Sequence, residues 1–152
     1  MPQCKTRYFG TISYDTRDAI EFPAGLPGFE QRRLFLPVDD AERRPMVFLQ
    51  SLEEQSLCFL TLPVLLLDPG YLLQMSPEDV AVLGLKKQPA IPAEAVCLAL
   101  ISVLADGSAA ANLLAPVVIH AAGGRGVQSV RDDAVYSCRQ PLGATAGAPP
   151  CL

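Results

Sequence analysis

Apolar and polar positions alternate in short bursts along this chain, and each burst is closed by proline, glycine or aspartate. From Arg7 to Tyr14 the odd and even positions differ in character over eight residues, which is the period-two signature of a strand. Ala19 to Phe22 is a second short strand stopped by Pro23, and Leu34 to Val38 and Met46 to Leu49 are two more, joined through the charged loop Asp39 to Arg44. Ser56 to Leu62 carries apolar residues at both parities and therefore predicts a strand covered on both faces. Val96 to Leu104 is the clearest strand of all. It is followed by the turn Asp106-Gly107-Ser108 and a returning partner, Ala109 to Ala121. Pro116 within that partner demands an edge or a bulge, because proline has no amide to give to a ladder. Beyond it, the turn Gly123 to Gly126, a strand from Val127 to Val130, the turn Asp132-Asp133 and a last strand from Ala134 to Cys138 complete the pattern.

One helix interrupts the strands. Ser76-Pro77-Glu78-Asp79 places a hydroxyl at the N-cap, proline at the first helical position and two carboxylates in the first turn. There the orphan amides need an acceptor and the helix dipole favours negative charge. The helix should end at Gly84. The pattern as a whole predicts a mainly β fold, a small antiparallel barrel-like domain with one short helix spanning residues 1–142, and a disordered Ala/Gly/Pro-rich tail over 143–152.

Composition narrows the function. The 152 residues are half hydrophobic and carry a net charge of −4, which argues against a disordered chain and against direct nucleic-acid binding. The first residues contain no apolar signal region, Pro2 forbids N-myristoylation, and penultimate Cys151 does not form a prenylation box. The apolar run from Ala95 to Ala105 is about half of what a membrane helix needs. These features predict a cytoplasmic protein with no membrane attachment.

Catalytic and cofactor chemistry is weakly represented. Cysteines stand at 4, 58, 97, 138 and 151 without a Cys-x-x-Cys pair, and Cys58 and Cys97 lie in apolar runs where a thiol behaves as a core side chain. His120 is the single histidine, so a hydrolytic site would have to pair it with a cysteine through the fold. The glycine turn at 123–126 lacks the Lys-Ser/Thr of a phosphate loop and is followed by a strand, which leaves no helix N-terminus to receive an anion. No catalytic residue, metal or cofactor is expected.

Charge is distributed unevenly. Between Glu53 and Asp106 there are seven acids, Glu53, Glu54, Asp68, Glu78, Asp79, Glu94 and Asp106, against Lys86 and Lys87 alone. Such a region is either a solvated surface or a docking face for a basic protein, since complementary fields raise association rates and set orientation. The stretch Phe22-Pro23-Ala24-Gly25-Leu26-Pro27-Gly28-Phe29-Glu30 is a stiff turn that leaves Leu26 and Phe29 as buried plugs or exposed anchors. The candidate partner contacts are Glu78 and Asp79 at the helix start, Asp68 and Tyr71 just before it, Phe29 beside Glu30, and Gln50 with Ser51 at a strand end. Each also has a structural reading: helix capping for Asp79, turn packing for Phe29, strand-end satisfaction for Gln50.

The string Gly25-Leu26-Pro27-Gly28-Phe29-Glu30, preceded by Phe22-Pro23, resembles the FliW family of flagellar assembly factors. Weaker similarities occur in the same order at Thr6 to Gly10, Phe48 to Ser51, Asp68-Pro69 with Tyr71, and Asn112 to Ile119. The resemblance implies a non-enzymatic cytoplasmic protein, monomeric when free. It would bind flagellin before export and, when free of it, would bind the mRNA-binding repressor CsrA away from the RNA surface, relieving repression of flagellin translation by an allosteric or electrostatic route. A general flagellin export chaperone without a CsrA role is the nearest alternative, and a small Cys/His hydrolase a more distant one. Apolar Val64 to Leu67, the lone Arg125 in its hairpin and the tail after Leu142 depart from the family pattern.

Overall fold

A computed structural model describes residues 1–142. Its elements are β1 (Gln3–Thr6), β2 (Gly10–Ser13), β3 (Ile20–Glu21), β4 (Leu34–Val38), β5 (Val47–Ser51) and β6 (Cys58–Pro63). They continue with α1 (Val64–Leu67), α2 (Pro77–Val82), β7 (Val96–Val103), β8 (Ala109–His120), β9 (Arg125–Gln128) and β10 (Gln140–Leu142). Strands β3 to β8 form an antiparallel meander. Strand β9 closes it, pairing antiparallel with β8 and parallel with β3 through Glu21 and Arg125. The result is a closed seven-stranded barrel, with β10 added to the start of β8 and the β1–β2 hairpin standing apart. The barrel-like β fold read from the pattern is therefore correct.

Two cores explain why so many strands are apolar on both faces. Ile20, Phe35, Leu49, Leu98, Val117 and Ile119 come from strands around the whole barrel and fill its interior with Phe22 and Leu26. Cys97, Ala99, Ala111 and Val118 lie on the opposite face of β7 and β8, Ala111 because the β8 bulge shifts the alternation, and meet Val64, Tyr71, Met75, Val80 and Leu83 in a second core. The second core is thus an outer layer, built by the chain between β6 and β7 folding back over the barrel wall. Phe22 meets Phe35 edge to face at 5.5 Å, the favoured geometry of an aromatic pair.

Four expectations need correction. Arg7 to Tyr14 is not one strand: Arg7 to Phe9 form the turn of the β1–β2 hairpin. Thr6 Oγ1 there donates to the Gly10 carbonyl and accepts from the Phe9 amide, both at 2.8 Å, and the Phe9 ring packs on Phe48. Two short helices are present where one was expected, because the apolar run Val64 to Leu67 coils as α1 with no side-chain cap to announce it. Ala134 to Cys138 is not a strand. Asp133 accepts from the Val135 amide and bends the chain, and pairing resumes only at β10. The strand after the glycine turn begins at Arg125, inside the turn itself. Pro116 sits in a bulge, where β8 runs four residues past one of β7 between Leu98 and Leu100. The tail at 143–152 lies outside the described residues. No described helix is long and apolar enough to cross a membrane.

Barrel closure depends on a glycine. A Cβ at Gly126 would come within 2.6 Å of the Phe22 ring, so β9 can lie against the interior core only without a side chain at that position. Gly126→Ala should therefore cost about 1–3 kcal/mol, the usual penalty of overpacking, measured by urea denaturation. Stability within 0.5 kcal/mol of the parent would contradict this account of the closure.

Candidate functional site

The eight candidate residues fall into two groups, at opposite ends of β6. At the β5–β6 end, Gln50 is fully buried, and its Nε2 donates to the carbonyls of Ser51, Gln55 and Leu57 at 3.1, 3.3 and 3.2 Å. Ser51 is buried too, its Oγ accepting from the amides of Glu53 and Glu54 at 3.0 Å. Both side chains serve the tight turn into β6. They do not present hydrogen-bonding groups to an incoming backbone, which corrects the expectation of a contact there. In the neighbouring loop Leu26 is a buried plug, while Phe29 remains 41% exposed with its ring edge-on to Phe59 at 5.3 Å. Gly25 sits at φ +68°, and a Cβ there would lie 2.5 Å from the Glu30 Cα, so the loop folds tightly on itself. Glu30 is exposed and accepts from the Gly28 amide at 2.8 Å.

At the other end of β6, Asp68, Tyr71, Glu78 and Asp79 lie on or between α1 and α2, and a second segment, residues 129–136, runs beside them. Three ties join the two in reverse order, so the segments are antiparallel. Ser129 Oγ donates to Asp79 at 2.8 Å, Arg131 donates to the Leu72 carbonyl, and Tyr136 OH donates to Asp68. The Asp79 backbone amide donates to Ser76 Oγ at 3.1 Å, so Ser76 caps the helix and leaves the Asp79 carboxylate to tie the second segment. Glu78 is exposed and makes no side-chain hydrogen bond among the described residues.

Arg131 organises this junction. Its side chain is almost completely buried, and it forks onto both oxygens of Asp133 at 3.0 and 2.9 Å. The guanidinium lies over both the Tyr71 and the Tyr136 rings, 5.1 and 4.9 Å from their centroids. The two rings are themselves 4.6 Å apart. Tyr71 is buried and donates to the Leu113 carbonyl at 2.8 Å, which anchors the junction to β8. Tyr71 is thus a floor of the site and does not reach a partner, a second correction. The hydrogen bonds to Asp133 raise the Arg131 pKa further, and the same bonds hold the Asp133 carboxyl below its ordinary range. The bond to Asp68, with burial and the aspartate charge, pushes Tyr136 up to about 12.

Sequence reasoning missed Arg131, Tyr136 and the antiparallel partnership. Asp132-Asp133 was legible as a turn, but a lone arginine before it gives no signal of burial. Electrostatically the two segments carry Asp68, Glu78, Asp79, Asp132 and Asp133 against Arg131 alone, whose charge is consumed internally. No described cluster of three or more His, Cys, Asp or Glu could hold a metal. Burial pushes the Cys58 thiol up to about 11 and Cys97 up to about 12, so neither supplies a thiolate near neutral pH.

Comparison with known proteins gives one consistent result. The family profile described as FliW protein matches residues 3–142. The flagellar assembly factor FliW of Azoarcus sp. (strain BH72) is 39% identical over 131 residues, covering 80% of this chain and 86% of that protein. The FliW of Exiguobacterium sp. (strain ATCC BAA-1283 / AT1b) is 34% identical, with 93% and 94% covered. A crystal structure of the flagellar assembly factor FliW superposes with a TM-score of 0.80 at 23% identity, covering 93% of this chain and 96% of the other, which shows the shared fold.

The Tyr136 proton gives the junction a measurable signature. Because the phenol holds its proton more tightly when folded, its contribution to stability is whole below about pH 10 and is lost as pH rises toward about 12. The phenolate absorbance difference between the parent and Tyr136→Phe should titrate near 12, and Asp68→Asn should bring that midpoint back toward the ordinary value. A midpoint near 10 in the parent would break the Tyr136–Asp68 tie.

Proposed function

The chain belongs to the FliW family of proteins, and on that premise we propose that this flagellar assembly factor works by occupancy. In this reading it binds flagellin in the cytoplasm and, when flagellin has been exported, binds the CsrA-type repressor as a free monomer, releasing flagellin mRNA for translation. The observation that supports a basic partner is the junction described above: five carboxylates on two locked segments, one of them paired with the single, buried guanidinium that those segments carry. An acidic surface attracts a basic RNA-binding protein at long range and repels RNA phosphate beside it, so RNA can be excluded without its shape being copied. Coupling between RNA and this protein on the repressor then needs no shared site, only a difference in the affinity of one ligand when the other is bound.

Among the residues proposed for this contact, Glu78 and Asp68 stand on the acidic junction, with Asp79 as its internal tie. Phe29 and Glu30 form a separate, smaller exposed spot at the other end of the barrel, and are proposed as a second contact. The protein is proposed to act as a binding protein with no reaction of its own and no cofactor. The raised thiols of Cys58 and Cys97 support this over a Cys/His hydrolase.

Competition tests the proposal. Adding flagellin to a complex of this protein with the repressor should release the repressor in proportion to the flagellin bound, read by analytical size exclusion. A protein that binds flagellin but never the repressor would be an export chaperone, and the proposal would fail. The face is tested separately. Reversal of Glu78 and Asp132 to lysine, positions outside the internal ties, should weaken repressor binding about tenfold at low salt and flatten its salt dependence. Unchanged calorimetric affinity would remove this face.

A further inference from the structure

Acid alone gives orientation and speed more than affinity, and the junction carries a second kind of chemistry. Of the eleven large apolar side chains that stand exposed among the described residues, four lie on the two locked segments: Leu66 (58%), Leu72 (73%), Val130 (58%) and Val135 (69%). The ties join the two segments that carry them. Leu72 gives its carbonyl to the residue after Val130, and Val135 precedes Tyr136, whose hydroxyl reaches two residues beyond Leu66. Isolated exposed aliphatics need no explanation, but four on two stretches held rigid by a buried arginine make an apolar strip with an acid rim of Asp68, Glu78 and Asp132.

We propose that this strip is a docking site for an amphipathic helix with an apolar stripe flanked by lysine or arginine. The inference rests on the reading of the acidic junction as a partner face and adds the shape and the apolar half of what it takes. Charge complementarity selects the flanks of the helix. The secondary structure of the site selects a helix over a strand: Leu66 lies on α1, and residues 129–136 are irregular beyond β9, so the strip offers no strand edge to extend. A helix arrives with its backbone already satisfied and needs only side-chain contact along an i, i+4, i+7 stripe. The Arg131 fork and the two tyrosine rings fix both halves of the strip beforehand, so little ordering is required on binding.

The test uses synthetic helices of about five turns, ~18 residues, titrated into the intact protein and followed by amide chemical shifts. One peptide carries a leucine stripe with lysine flanks, a second the same stripe with glutamate flanks, and a third the lysines with serine in place of leucine. Only the first should bind, shifting amides of residues 66–74 and 129–136. Combining Leu72→Ser with Val135→Ser should weaken it at least tenfold, while Val103→Ser, at an exposed aliphatic elsewhere, should leave it unchanged. Equal binding of the serine peptide, shifts confined to other strands, or indifference to the double variant would overturn the proposal. If the repressor binds and the leucine-lysine peptide does not, the docking mode is wrong and the assigned function stands. If the peptide binds and neither flagellin nor repressor does, the function is wrong and the strip remains a helix site.

Discussion

Strand β9 is four residues long, and the rest of the molecule depends on where it lies. By pairing with β8 on one side and β3 on the other it turns a six-stranded meander into a barrel, removing the two free edges that an open sheet would expose. That closure requires Gly126 against the Phe22 ring. It also sets the direction in which the chain leaves the barrel: residues 129–136 emerge directly from β9 and run back past α2 and α1. The acidic junction is therefore a consequence of closure, held at one end by β9 and along its length by Ser129, Arg131 and Tyr136.

Arg131 makes this arrangement stiff. A buried guanidinium without partners would be intolerable, and here it has a carboxylate fork, a backbone carbonyl and two aromatic faces. Removing the Asp133 carboxylate would leave the buried charge unpaired, and the Leu72 carbonyl and Tyr71 ring that the same guanidinium contacts come from the other segment, so the cluster fixes the relative position of the two segments. In the proposed function the surface outside it is the partner face, with carboxylates that steer and aliphatics that grip. Asp79 stands on the border, since it lies in the first turn of α2 and its carboxylate holds Ser129, and a change there would disturb fold and face together.

How much of this was legible in the sequence differs by element. Period-two alternation and turn residues identified the barrel strands from β3 to β8, because burial on one or both faces of a sheet leaves a direct trace in residue type. The Ser76-Pro77 cap identified α2, because capping chemistry is local. Helix α1 left no such trace, for its short apolar run carries no side-chain cap and only Val64 in it is buried by tertiary packing. Residues 134–138 misled, since Val135 and Tyr136 have strand propensity while an aspartate turn and a tie to Asp68 decide their shape. At the site, exposed acids could be guessed from charge. The burial of Gln50, Ser51 and Tyr71 could not, because each is a polar group whose partners come from the folded chain.

The most direct measurement is a hydrogen-exchange footprint of the intact protein with and without the purified CsrA-type repressor. The account predicts slowed exchange at residues 66–79 and 129–136, with the barrel strands β4 and β5 unchanged. Protection absent from both of those stretches, or confined to the loop at 22–33, would contradict the claim that the Arg131 junction builds the partner face.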